Sequence, residues 1–247
     1  MIPWLKPAPE DDWFPDTARA MTVPNGLLAA GGDLSPGRLL AAYHRGIFPW
    51  YEAGQPVLWW SPDPRTILWP GTMYLSRRMR RRLRSPAFEV SVDQGFAAVV
   101  DACAKRGTGS GAGTGTWITP EMATAYGRLH DLGHAHSIEV WQGDMLAGGV
   151  YGVALGQVFF AESMFSAVTD ASKIALACLS GLLHRHGFGM IDCQLPSAHL
   201  SSLGCQEIPR ADFLERIATL CPASPTPMQW QRAAAPVSSL CQGSNGA

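Results

Sequence analysis

His136-Ser-Ile-Glu-Val-Trp-Gln142, Met145-Leu-Ala-Gly-Gly-Val-Tyr-Gly-Val-Ala-Leu155 and Gln157-Val-Phe-Phe-Ala161 read as three successive strands. Each is short and rich in β-branched and aromatic residues, and turn residues near Asp144 and Gly156 separate them. A helix follows from an Asp170 cap through about Arg185, with Gly187 just past its end. Gly189-Met-Ile-Asp-Cys-Gln194 then reads as a further strand. Antiparallel strands followed by a helix and one more strand predict an α+β layer.

Working outward, Arg65 to Trp69 and Phe88 to Val92 read as strands. Ser76 to Leu83, Phe96 to Lys105, Pro120 to Leu132 and Ala211 to Leu220 read as helices. Residues 1–63 differ in texture: five of the nine tryptophans lie there (Trp4, Trp13, Trp50, Trp59 and Trp60), among many Pro and Gly. One helix is clear in that segment. Ser35 caps it, Pro36 takes the first position, and Leu39, Leu40 and Tyr43 share a face up to Gly46. The expected division is a small N-terminal α/β domain over 1–63, a second domain over 64–221, and a Pro/Ala/Ser-rich tail over 222–247 that is expected to be disordered.

The chain has 247 residues, between one and two domains at ~150 residues each. Hydrophobic residues are 47% and charged residues 16%, a globular composition, and the net charge of −1 excludes a globally polybasic protein. The N-terminus has no basic segment leading into an apolar one, and the longest apolar run, Ile174 to Leu183, is too short to span a bilayer. Six cysteines without a CxxC pair are no disulfide scaffold, so a cytoplasmic, reduced protein with no membrane partner is expected.

Several residue groups invite chemistry. Arg77, Arg78, Arg80, Arg81, Arg82 and Arg84 place six of the 19 basic residues within eight positions. No acidic residue lies three or four positions away to pair with them, and the guanidinium fork suits phosphate, so this helix points to nucleic acid rather than to an ordinary solvated face. The glycine-rich stretch 107–115 lacks the Gly-Lys-Ser/Thr ending of a phosphate loop and reads as a flexible connection. His130, His134 and His136 resemble a metal cluster, but Gly133 breaks the helical spacing and no carboxylate-rich partner motif stands by, so no metal is assigned. Glu162 sits among Phe159, Phe160, Met164 and Phe165, where a carboxylate needs a partner; it is a candidate receptor for a cationic group. Asp192 and Gln194 fall on one face at a strand end, an acid and an amide able to orient a nucleophile.

Together these stretches resemble the leucyl/phenylalanyl-tRNA–protein transferase family. The resemblance runs from about Pro24 to Asp212 and rests on Pro24-Asn-Gly-Leu-Leu-Ala-Ala-Gly-Gly-Asp-Leu-Ser35, Gly46-Ile-Phe-Pro-Trp50, Leu58-Trp-Trp-Ser-Pro-Asp-Pro-Arg65, Gly115-Thr-Trp-Ile118, Leu132 to Trp141, Glu162-Ser-Met-Phe-Ser166, Ala171-Ser-Lys173 and Ile191-Asp-Cys-Gln194. It implies a GNAT-like acyltransferase domain behind the small N-terminal domain, and no metal or dissociable cofactor. It further implies transfer of Leu or Phe, less well Met, from aminoacyl-tRNA to the α-amine of proteins that begin with Arg or Lys, marking them for N-degron proteolysis. By position, Asp192 and Gln194 match the catalytic pair, Glu162 the acceptor-binding carboxylate, Trp50, Trp117 and Phe159 the residues around the aminoacyl-adenosine, and the arginine cluster the region holding the acceptor stem. Val150 and Leu179 stand where the family can carry Met and Phe. A monomer is expected.

An aminoacyl ester is already activated, and an α-amine with a pKa of about 7.7–8.0 is partly neutral near pH 7, so orientation rather than strong base is the chief requirement. In this reading Asp192 polarises Gln194, whose amide oxygen receives an N–H of the attacking amine. Two rivals remain from other classes. An acyl-CoA-dependent N-acetyltransferase would need a glycine-rich pyrophosphate turn where Val168-Thr-Asp-Ala-Ser-Lys173 stands. A non-catalytic RNA-binding module would leave Glu162, Asp192 and Gln194 without a role.

Overall fold

A computed structural model describes residues 2–7, 13–105, 118–222, 230 and 235–237. Among them, Trp4–Leu5 (β1), Leu27–Gly31 (β2), Phe48–Pro49 (β3) and Leu58–Trp60 (β4) form a four-stranded sheet in the order β1-β2-β4-β3. Pro36–His44 (α1) packs on it through buried Leu39, Ala42 and Tyr43, the face expected from their spacing. The helix stops where Gly46 adopts φ 69°, a conformation that a residue with a Cβ rarely takes.

Arg65–Leu68 (β5), Glu89–Val92 (β6), Ala135–Gln142 (β7), Met145–Leu155 (β8), Val158–Ser166 (β9), Met190–Gln194 (β10), Gln206–Ile208 (β11) and Ala235–Pro236 (β12) form the larger sheet, in the order β11-β5-β10-β9-β8-β7-β6-β12. Arg77–Leu83 (α2), Phe96–Lys105 (α3), Pro120–Asp131 (α4), Ala171–Arg185 (α5), Ala198–Ser202 (α6) and Arg210–Leu220 (α7) complete the α+β architecture. One cluster joins α3 and α4 to Tyr151, Val153 and Phe160 and continues into the N-terminal sheet and α1. The other joins α2 and α5 to Ile138, Val150, Phe159 and Ile191 on the opposite face. Helix α5 is buried over most of its length, so its apolar run supplies core. Truncating a buried Leu such as Leu179 to Ala typically costs about 2–5 kcal/mol.

The connection from β9 to β10 runs through α5 and makes them a parallel pair, whereas β10 with β5, β7 with β8 and β8 with β9 are antiparallel. Parallel pairing covers only Met190 with Val158, Ile191 with Phe159 and Asp192 with Phe160. Beyond that point β9 continues to Ser166 without β10 beside it, and the sheet opens.

Two details differ from the sequence expectation. Strand β9 was expected to end at Ala161, but it extends to Ser166. Ala161 lies opposite Gly152 and Ser163 opposite Tyr151, so Glu162 is an extra residue in a bulge. The bulge resets the alternation, and a period-2 reading loses the strand there. Asp170 precedes α5 as expected, yet it has φ 71° and makes no capping bond. Its carboxylate instead meets Lys173 at 3.3 Å and Arg78 at 3.6 Å.

Within 222–247, Trp230 stacks on His136 with ring centroids 3.9 Å apart, and Ala235 and Pro236 pair with Val90 and Glu89 of β6. Trp117, the 107–115 glycine-rich stretch and the rest of the tail lie outside the described residues. Among those described, no helix is long and apolar enough to cross a membrane.

Candidate active site

The opening between β9 and β10 gathers three of the expected site residues. Glu162 stands two residues past Phe160, and Gln194 two residues past Asp192, the last pair that the strands share. A side-chain bond takes the place of the ladder there: Gln194 Nε2 donates to Glu162 Oε1 at 3.0 Å.

Gln194 holds an unusual backbone. Asp192 lies opposite Ile67 and Gln194 opposite Thr66, leaving Cys193 as the extra residue of a second bulge. Gln194 has φ 64°, and the Leu195 N–H donates to the Cys193 carbonyl at 2.8 Å. An i to i+2 bond around a positive φ is the rarer, strained form of γ-turn, which persists only where its surroundings enforce it. One enforcing contact is visible: the Gln194 N–H donates to Asp192 Oδ1 at 2.9 Å.

Asp192 is itself fixed by a residue that sequence reasoning missed. Arg65 Nε donates to Asp192 Oδ1 at 2.8 Å and Nη2 to Oδ2 at 2.6 Å, both side chains being about 1% exposed or less. Arg65 Nη1 also donates to the Gly46 carbonyl, and its guanidinium lies between the Phe48 and Phe213 rings, 4.8 and 4.6 Å from their centroids. A bidentate pair with stacked faces fixes both partners in one geometry. Asp192 is thus engaged through both of its oxygens. Its oxygens face the Arg65 guanidinium and the Gln194 backbone; the Gln194 side-chain amide, which it was expected to polarise, reaches Glu162 instead. Arg65 stands in the quoted motif ending Ser61-Pro-Asp-Pro-Arg65, and an Arg leading into Thr-Ile-Leu is the signal available in the sequence.

Glu162 is nearly enclosed, at 8% exposure. Oε1 also accepts from the Tyr43 hydroxyl at 2.7 Å, and Oε2 accepts from the Tyr126 hydroxyl at 2.6 Å. The two tyrosine oxygens lie 2.6 Å from each other. Burial pushes the Glu162 carboxyl up to about 7; the Tyr126 and Tyr43 hydrogen bonds pull the other way, and the nearby Asp192 charge adds to the rise. Burial, reinforced by the Glu162 charge, holds the Tyr43, Tyr126 and Tyr151 hydroxyls well above the usual phenol range. Both ligand tyrosines occupy apolar helix faces, on α1 and α4, where their spacing reads only as core.

The remaining expected residues lie around this centre. Phe159 is buried on the α5 face beside Ile191, while Glu162 and its tyrosines belong to the α1/α4 face, so the opening joins the two sides of the sheet. Trp50 is 41% exposed and packs edge-on against Trp60 at 5.4 Å. The next residue, Tyr51, has its hydroxyl 3.5 Å from Thr119 Oγ1, close to where the 106–117 segment rejoins the described chain. On α2, Met79 and Leu83 anchor the helix; Arg77, Arg78, Arg80 and Arg81 are exposed, as is Arg84 at its C-cap. Arg82 is half-buried, its guanidinium 4.7 Å from the Phe88 ring centroid. This helix sits on the α5 face, the side that also carries Phe159, Val150 and Leu179.

Asp93, His130 and His136 bring potential metal-ligating atoms within 4.8 Å of one another. His136 Nδ1 lies 2.7 Å from Asp93 Oδ2 and Nε2 lies 3.1 Å from the Gly133 carbonyl, so acceptors already engage both of its ring nitrogens. His130 Nδ1 lies 2.8 Å from the Ala135 carbonyl. Nothing in this arrangement aims an open ligand set at a shared point.

Comparison with known proteins bears on the chain as a whole. A model of the leucyl/phenylalanyl-tRNA protein transferase family matches residues 67–218, and the model of that family's N-terminal domain matches 32–63. A leucyl/phenylalanyl-tRNA–protein transferase of Aromatoleum aromaticum is 54% identical over 93% of this chain and 94% of its own length. The protein of the same name from Azotobacter vinelandii is 58% identical over 81% and 87%. Among solved structures, a GCN5-related N-acetyltransferase from Kribbella flavida is 10% identical with a TM-score of 0.35, covering 70% of this chain and 60% of that one, a likeness too low to carry an argument. Matches of this extent along the sequence leave no room for the N-acetyltransferase or RNA-binding rivals: the chain belongs to the leucyl/phenylalanyl-tRNA–protein transferase family, a family of aminoacyltransferases.

Proposed function

We propose that this protein moves Leu or Phe, and less well Met, from aminoacyl-tRNA to the α-amine of proteins that begin with Arg or Lys, marking them for N-degron proteolysis in the cytoplasm. The observation that carries the reading is the Glu162–Gln194 bond across the open end of β9 and β10, with the Glu162 carboxyl raised to about 7. A carboxylate near 7 is closely matched to an α-ammonium of about 7.7–8.0, so proton transfer between them is nearly level in energy.

In the proposed sequence the aminoacyl ester lies in the opening, its side chain on the Phe159, Val150 and Leu179 side. The acceptor α-ammonium approaches Glu162. Glu162 takes one proton; Gln194 Oε1, whose amide nitrogen already binds Glu162, accepts a remaining N–H and aims the lone pair at the ester carbonyl. The C–N bond forms, the C–O bond to the terminal adenosine breaks, and the released 2′/3′-hydroxyl receives a proton. Orientation carries most of the acceleration, and good alignment is worth ~7–11 kcal/mol. Asp192 and Arg65 act as positioning residues through the Gln194 γ-turn. The exposed arginines of α2 hold acceptor-stem phosphates, and Trp50 and Trp117 stack on the terminal adenosine, at ~1–3 kcal/mol per base. Neither a metal nor a dissociable cofactor enters this scheme.

The test is transfer of radiolabelled leucine from leucyl-tRNA to an Arg-initiated peptide, compared with an N-acetylated copy and an Ala-initiated copy. Label in the first peptide alone is expected. Equal label in the Ala-initiated peptide would remove the basic-acceptor requirement, and label in the acetylated peptide would remove the α-amine as nucleophile.

A further inference from the structure

Cys193 and Cys205 face each other with their Sγ atoms 3.9 Å apart. Neither serves the proposed transfer chemistry. Cys193 is the extra residue of the β10 bulge, between Asp192 and Gln194, and its carbonyl closes the γ-turn that holds Gln194. Cys205 directly precedes β11, on the far side of β5 from β10. Both are half-buried, whereas Cys103 and Cys221 are buried. The pair is therefore less enclosed than Cys103 and Cys221, and it is tied to the backbone of the site.

We propose that Cys193 and Cys205 form a reversible oxidation site for low-molecular-weight disulfides, and that closing it withdraws Gln194 from Glu162. This rests on the reading of Gln194 as an active-site residue. Cys205 is the attacking group: the hydrogen bond from the Cys193 thiol favours its thiolate and holds its pKa below the ordinary cysteine value. The Cys205 thiolate attacks one sulfur of the incoming disulfide, forming a mixed disulfide and expelling one thiolate. Burial and the bond to Cys205 hold the Cys193 thiol well above the ordinary cysteine value, so Cys193 passes its proton to the thiolate just expelled, then attacks Cys205 Sγ and expels the second thiolate, which takes a proton from water. In sum, two protein thiols and one small disulfide become one protein disulfide and two small thiols.

The mechanical consequence follows from distance. A disulfide needs its sulfurs about 2.0 Å apart, so the present 3.9 Å must shrink by about half. Cys193 is held in the bulge by the chain on both sides, and its carbonyl accepts the Leu195 N–H. A pull on its side chain is transmitted to the strained turn at Gln194. The bond from Gln194 Nε2 to Glu162 then breaks, although both residues remain chemically intact.

The full-length protein is equilibrated in glutathione buffers from fully reduced to fully oxidised. Free thiols are alkylated, disulfides are mapped by mass spectrometry, and leucine transfer to an Arg-initiated peptide is measured at each point. The expected result is a Cys193–Cys205 cross-link whose growth parallels a loss of transfer of at least tenfold, restored by dithiothreitol. Cys205→Ser is expected to keep transfer in the reduced buffer and to lose nothing in the oxidised one. Absence of the cross-link, a cross-link with undiminished transfer, or an equal oxidative loss in Cys205→Ser would each overturn the proposal. Gln194→Ala, assayed reduced, tests the site separately: an active variant would discard the role of Gln194 and leave the dithiol to be judged on the disulfide map.

Discussion

Gln194 Nε2 donates to Glu162 Oε1 at 3.0 Å, two residues beyond the point where β9 and β10 stop pairing. Parallel strands that part leave unpaired backbone at the fork. Here a bulge on each strand turns a polar side chain toward the gap, and the two side chains bind each other. The same contact leaves the Gln194 amide oxygen to accept from an incoming amine. Gln194→Ala is expected to lower kcat about 10²–10³-fold, the scale for removing one preorganised polar contact, with KM for the aminoacyl-tRNA nearly unchanged. Single-turnover transfer and a tRNA-binding isotherm measure the two quantities.

Glu162→Gln preserves the shape and removes the proposed proton acceptor. In the wild type, log kcat/KM for the peptide should bend near pH 7, where Glu162 becomes able to take a proton. In the variant the ammonium must deprotonate in solution first, so the bend should move to the peptide's own value of about 7.7–8.0. An unmoved bend would assign Glu162 to binding alone.

Stability carries the same signature. A carboxyl at 4.5 in the unfolded chain and about 7 in the folded one binds more protons when folded. The unfolded chain therefore gains stability relative to the folded one as pH rises from 4.5 to 7. The contribution of Glu162 to folding should fall by about 3 kcal/mol across that window, then level off. Urea unfolding of wild type and Glu162→Gln at pH 4.5, 6 and 8 should show the variant gaining on the wild type with rising pH. Parallel stability curves would contradict the raised value.

Asp192→Asn and Arg65→Met each break a buried ion pair and leave its partner uncompensated. Each is expected to lose about 3–5 kcal/mol of stability together with most of the transfer rate. Arg65→Lys keeps the charge but not the bidentate fork, so it should recover stability more than kcat. If Asp192 worked instead as a base relay, raising the pH to 9 would rescue Asp192→Asn; no such rescue is expected from a positioning residue.

Neutralising Arg80 and Arg81 on α2 and Arg84 at its C-cap, all exposed, should weaken tRNA binding and lower the salt slope by roughly one per lost phosphate contact. Transfer from a minimal aminoacyl-adenosine donor should change little. Arg82, packed over Phe88, is expected to contribute less to the slope and more to stability. Equal losses with both donors would detach this helix from the acceptor stem.

The sequence by itself determined the strand–helix–strand order from His136 to Gln194, the α1 face of Leu39 and Tyr43, the basic character of Arg77 to Arg84, and the family, because these depend on local periodicity and on ordered motifs. It also singled out Glu162, Asp192 and Gln194, since a carboxylate among aromatics and an acid–amide pair at a strand end stand out chemically. Only the tertiary structure decided what they contact. Asp192 meets Arg65 across 127 positions, and Tyr43 reaches Glu162 across 119. Neither helical nor strand spacing connects residues so far apart. The bulges at Glu162 and Cys193 shift the strand register by one residue, which a pattern of period two cannot register in advance. Burial, which raises the Glu162 carboxyl to about 7, is likewise a property of the packed chain: the surrounding water is removed only when α1, α4 and the opened sheet close around it.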